Sequence, residues 1–146
     1  MANGVIGATA QLRTFVAQDI LFRVLKKKRW LEAGKLSEAF LLGTHESGLS
    51  VCFDCQACEA PRIMNLDSYG VASLLYGGVT SIDNLTVVAD AVNHAEIQGV
   101  PHKQIDDVRA EWIASELARI STIAEERRRR KNDNPPWLLP EGCVNP

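Results

Sequence analysis

Leu85-Thr-Val-Val-Ala-Asp90, then His94-Ala-Glu-Ile-Gln98, then the long run from Pro101 to Ala124 form the stretch whose reading decides the fold. β-Branched residues in the first segment and alternating side chains in the second predict two short strands. Gly99 and Pro101 end the second strand, because proline has no N–H to offer a ladder. Beyond them Ile105, Val108, Trp112, Ile113, Leu117, Ile120 and Ala124 recur at helical spacing. That stripe predicts one long amphipathic helix over residues 103–126. So bulky a stripe needs a sheet to lie on, and the preceding strands supply its beginning.

Outward from there, a chain of 146 residues with 46% hydrophobic and 23% charged content reads as one folded domain with a core of its own. A net charge of −2 excludes a strong overall pull toward nucleic acid or membrane. The positive charge is uneven, however. Lys26-Lys-Lys-Arg29 and Arg127-Arg-Arg-Arg-Lys131 together leave the remainder acidic. No apolar run reaches the roughly 20 residues a membrane helix needs, and the N-terminus lacks a secretory pattern. These features predict a cytoplasmic protein whose four cysteines are mostly reduced.

Ile20 to Leu25 reads as a strand, with Arg23 at an edge or snorkelling outward, or else serving as an anchor for a carboxylate or phosphate. Leu36 to Leu42 reads as a strand paired across the Gly43–Gly48 turn with Leu49 to Phe53. Asp54 to Asn65 reads as a short helix interrupted at Pro61, and Tyr69 to Leu75 as a strand. Ala8 to Ala17 suits a short helix or an ordered arm. The domain is assigned to residues 1–131. Residues 132–146, with four of the six prolines, form a tail that either returns to the domain through Trp137 or is offered to a partner.

Three sets of residues carry chemistry. Cys52, Cys55 and Cys58 have the spacing of thiolate ligands for zinc or an iron–sulfur cluster, but no second ligand pair accompanies them. Structural thiols are therefore the default reading, with redox chemistry a minor one, and no cofactor is expected. His94 and Glu96 fall on one strand face, which suits acid–base work and equally an ordinary polar sheet face. Arg127, Arg128, Arg129, Arg130 and Lys131 would grip phosphates or an acidic partner, although a basic helix end is favoured by the helix dipole in any case.

Leu21-Phe-Arg23, Ser37-Glu-Ala-Phe40, Gly48-Leu-Ser-Val51, Tyr69-Gly-Val71, His94-Ala-Glu-Ile-Gln-Gly-Val-Pro101 and Ala114-Ser-Glu-Leu-Ala118 occur in an order that resembles a set of small bacterial proteins with no established activity. A more distant resemblance is to ADP-ribosyltransferase folds of the RES type. It implies an NAD-using site in which Arg23 holds phosphates, Ser37 positions the nicotinamide ribose and Glu96 stabilises the ribosyl cation.

The expectation is thus a single α+β domain, a small and mostly antiparallel sheet packed on one long C-terminal helix. Its expected role is non-catalytic, contacting nucleic acid or a protein through the basic helix end and Trp137. An ADP-ribosyltransferase-like enzyme is the alternative.

Overall fold

The computed structural model describes residues 13–26, 36–66 and 68–125. Its strands are β1 (Ile20–Leu25), β2 (Leu49–Cys52), β3 (Gly70–Leu75), β4 (Thr86–Ala91), β5 (His94–Gln98) and β6 (Thr122–Glu125). Two 3-10 turns, Leu36–Phe40 and Ala57–Glu59, accompany α1 (Ala60–Met64), α2 (Tyr76–Thr80) and α3 (Asp107–Ile120). The strands make one six-stranded sheet in the order β4-β5-β2-β1-β3-β6, each neighbour antiparallel. The α+β class and the antiparallel sheet therefore stand.

Alternation sorts the strand residues onto two faces. Leu21, Leu25, Leu49, Val51, Ala72, Leu74, Val87, Ala89, Ala95 and Ile97 share the larger core with Ile113, Ala114 and Leu117 of α3. On the reverse face Phe22, Val24, Cys52 and Val71 pack with Ala60 in a smaller cluster closed by Cys55, Met64 and Leu66. The sheet thus has α3, α2 and the first 3-10 turn on one side and the short α1 segment on the other.

The link from β5 to β6 explains the length of α3. Those strands are separated by β2, β1 and β3, so the chain must cross four strand spacings, about 19 Å at roughly 4.8 Å each. The 14 residues of α3 supply about 21 Å at 1.5 Å per residue. Asp106 starts the helix by accepting the Arg109 N–H at 3.0 Å. At the far end Ser121 turns to extended backbone, with its hydroxyl donating to the Ala118 carbonyl at 2.8 Å.

Four expectations are corrected here. The helix does not run over 103–126: it ends at Ile120, and Thr122–Glu125 pairs with β3. Its inward seam is Ala110, Ile113, Ala114 and Leu117, at i, i+3, i+4 and i+7, whereas Ile105, Val108 and Trp112 face outward. The segment 36–42 is no strand. Leu36, Ala39 and Phe40 have helical spacing, and the buried Ala39 and Phe40 seat a 3-10 turn on the core; β2 pairs instead with β1 and β5. Finally, Pro61 sits in the first turn of α1, where its missing N–H costs nothing, rather than breaking a helix. Residues 13–17 are not helical, and the rest of the proposed N-terminal helix lies outside the described residues.

Gly99 holds the exit of β5 with φ of +103°, and a Cβ there would stand 2.6 Å from the Asn84 carbonyl oxygen. Gly99→Ala should lose about 1–3 kcal/mol, the usual range for a strained backbone position. Urea unfolding would show this as a lower midpoint with an unchanged slope; an unmoved midpoint contradicts the packing of β5 against Asn84.

Candidate functional site

The reverse face of the sheet carries the densest group of chemically capable side chains. It is organised by the bend Cys52-Phe53-Asp54-Cys55, where β2 ends and Asp54 takes φ of 57°. Asn93, in the turn between β4 and β5, grips that bend. Its side-chain N–H₂ donates to the carbonyls of Phe53 at 2.8 Å and Asp54 at 3.1 Å, and its own carbonyl accepts the Phe53 N–H at 3.3 Å. Asparagine also tolerates the left-handed φ of 63° required there.

Arg13 braces the bend from the other side. Its guanidinium lies 3.2 Å from Asp19 and 3.0 Å from Asp54, the second a charge contact rather than an aligned hydrogen bond. It also covers the rings of Phe15 and Phe53 at 5.1 and 5.3 Å. Phe15 in turn meets Phe53 edge-on and stacks on Tyr76. These contacts leave a cleft of about 270 Å³, lined by Arg13, Asp19, Ile20, Phe22, Asp54 and Cys55.

Cys52 is fully buried and Cys55 half-buried; both are free thiols. A hydrogen bond with Cys55 and, after it, burial push the Cys52 pKa up, and the Cys52 sulfur also lies 3.9 Å from the Ala60 carbonyl. The same hydrogen bond lowers the Cys55 pKa, against burial and the charges of Glu59 and Asp54. Cys58 is disulfide-bonded. The three sulfurs of the C-x-x-C-x-x-C run are therefore not presented together as free thiolates. Among the described residues, no group of three His, Cys, Asp or Glu side chains is placed to hold a metal ion.

His94 is the register partner of Cys52, and Glu96 that of Ser50, so all four belong to the reverse face. The expected shared face of His94 and Glu96 is present. The imidazole, however, is engaged by Asp90 through Nδ1 rather than by Glu96. Glu96 lies over Gly48, where an added Cβ would stand 3.1 Å from its Oε1.

Arg23 is neither at an edge nor outward. Interior β1 carries it on the main-core side, only 5% exposed. Its Nε donates to the Ala39 carbonyl at 3.0 Å and its Nη1 to the Ser50 carbonyl at 2.9 Å. The guanidinium so ties the first 3-10 turn to the region where β1 and β2 meet. Burial lowers its pKa, while Glu46 favours the cation. It borders a cavity of about 210 Å³ together with Lys26, Glu46 and Ser50. Ser37 rides on the same 3-10 turn as Ala39, so it and Arg23 belong to one neighbourhood. The cavity also takes in Val24, Met64 and Leu66 of the reverse face, but Glu96 is absent from its lining.

Arg127, Arg128, Arg129, Arg130, Lys131 and Trp137 lie outside the described residues. Asn93, Asp90 and Arg13 escaped sequence reasoning. An asparagine between two strand-like segments marks a turn, but nothing local says that it also holds a bend forty residues earlier. Comparison with protein-family models, curated proteins and solved structures gave no match.

Replacing Arg23 by Met keeps the length of the side chain and removes both donors. The carbonyls of Ala39 and Ser50 would then lose their guanidinium partners, a cost of about 1–3 kcal/mol. Chemical denaturation of R23M should show that loss, and a midpoint equal to wild type would contradict the stapling role.

Proposed function

We propose that this chain is a protein-interaction module whose docking surface is the outer face of α3. One observation carries the reading. Val108 and Trp112 of α3 are 82% and 50% exposed, and their i, i+4 spacing gathers them on one side; Ile105, 81% exposed, stands in the turn just before the helix. A single exposed apolar residue needs no explanation, but an aligned group containing tryptophan has the composition of an interface centre.

The charges around this stripe favour a protein over a nucleic acid. Lys103 lies 2.7 Å from Glu111 and 3.9 Å from Asp107; Arg109 lies 3.4 Å from Asp83, and Arg119 2.8 Å from Glu116. Each of these cations already faces a carboxylate, and Asp106 adds a further negative charge. Phosphates approaching here would meet paired cations and surplus acids. The Arg127–Lys131 run and Trp137 stand as a separate proposed contact, a salt-sensitive reach toward an acidic partner surface.

The NAD-using alternative built on Arg23, Ser37 and Glu96 has no comparable support. Arg23 directs donors to main-chain carbonyls, and Glu96 does not line the cavity that Arg23 borders. Among the described residues no helix is long and apolar enough to cross a membrane, so the stripe on α3 is not a spanning segment.

A photoreactive amino acid at position 108, installed in the full chain in its native cells, tests this proposal. The expected result is one protein adduct that disappears when Trp112→Ser is added and persists when Val92→Ser, an exposed apolar residue in the β4–β5 turn, is added instead. Adducts to nucleic acid alone, or a protein adduct indifferent to Trp112, would overturn it.

A further inference from the structure

The reverse face offers an activity that the α3 surface does not use. Cys55 lines the 270 Å³ cleft beside Arg13, Ile20, Phe22 and Asp54. Cys52, fully buried at the end of β2, belongs to the small cluster against which Cys55 packs. The cleft thus reaches one sulfur of the pair and not the other. The bend between them is fixed by Asn93 on one side and Arg13 on the other, so their approach is built into the fold. Structural cysteines need neither an accessible partner nor a contact of this kind.

We propose that Cys52 and Cys55 form a reversible dithiol–disulfide couple that exchanges with small aliphatic disulfides, Cys55 attacking from the cleft and Cys52 resolving from behind. In the first step the Cys55 thiolate attacks one sulfur of the substrate. A mixed disulfide forms, the substrate S–S bond breaks, and one thiolate leaves and takes a proton from solvent. In the second step Cys52, releasing its proton to solvent, attacks the Cys55 sulfur. The mixed disulfide breaks, the second substrate thiolate leaves and is protonated, and a Cys52–Cys55 disulfide remains. The substrate has gained two electrons and become two thiols, while the protein pair has been oxidised; a reduced dithiol reverses both steps.

The hydrogen bond from Cys52 fits this division of labour, because it favours the thiolate on the sulfur that faces the cleft. Other charged or titratable groups bear on the pair. Asp54 and Glu59 disfavour the Cys55 thiolate, Arg13 shares its cleft, and His94, held by Asp90, sits across the strand from Cys52.

The test uses the full-length protein and glutathione disulfide as the probe. Wild type should lose one hydrogen from each of Cys52 and Cys55, read by peptide mapping that localises the new bridge to these two sulfurs, and both should become free thiols again with dithiothreitol. Cys52→Ala should instead trap glutathione on Cys55, while Cys55→Ala leaves Cys52 unmodified. Alkylation of Cys55 by iodoacetamide should switch on at lower pH than for an ordinary cysteine thiol. The Cys52→Ala variant should move that transition upward, since it removes the hydrogen bond that stabilises the thiolate. Circular dichroism on each variant separates loss of fold from loss of exchange. Persistent free thiols in excess glutathione disulfide, a bridge from Cys55 to Cys58, or an alkylation profile indifferent to Cys52 would overturn the proposal.

Discussion

The crossing of α3 over the sheet is the constraint on which the rest of the structure depends. β5 and β6 stand four positions apart in the strand order, and a single helix carries the chain between them. To lie close over three intervening strands, the helix needs a seam that is narrow as well as apolar. Ala110 and Ala114 give the close approach, while Ile113 and Leu117 fill the hollows beside them. This choice of seam turns Val108 and Trp112 away from the sheet. The outward stripe and the inward packing are therefore one consequence of a single helix rotation.

The same sheet explains why its two faces differ in chemistry. Under α3 the strand residues are aliphatic, and Arg23 is admitted only because two main-chain carbonyls receive it. On the reverse face the cover is short, a 3-10 turn and one turn of helix, and it closes only the middle strands. Polar and reactive groups gather where that cover stops: Cys55 at the rim, and His94 and Glu96 along β5. Ile20 and Leu75, register partners on the same face, stay exposed for the same reason.

Strand content and class were readable from the residues, because period-two alternation and turn residues act locally. β1, β3, β4 and β5 follow from Ile20–Leu25, Gly70–Leu75, Thr86–Ala91 and His94–Gln98 with small shifts at their ends. The rotation of α3 was not readable. Bulk favoured Val108 and Trp112 over Ala110 and Ala114, and only the sheet beneath decides that small side chains belong inside. The 3-10 turn at Leu36–Phe40 was misread because a short apolar run fits a strand and a helical turn equally well. Of the candidate site, the Cys52–Cys55 spacing and the shared face of His94 and Glu96 could be seen. The Asn93 clamp, the Asp90 partner of His94 and the burial of Arg23 could not, since each joins segments distant in the chain or depends on a turn's final geometry.

The rotation of α3 is most directly measured by comparing the urea stability of Leu117→Ala with that of Trp112→Ala. Leu117 is fully enclosed, so its truncation should cost about 2–5 kcal/mol, as core leucines do. Trp112 is half exposed despite its size, and its truncation should fall well short of the roughly 3–5 kcal/mol expected of a core tryptophan. A larger loss at Trp112 than at Leu117 would mean that the helix presents its other face to the sheet, contradicting the seam and the docking surface together.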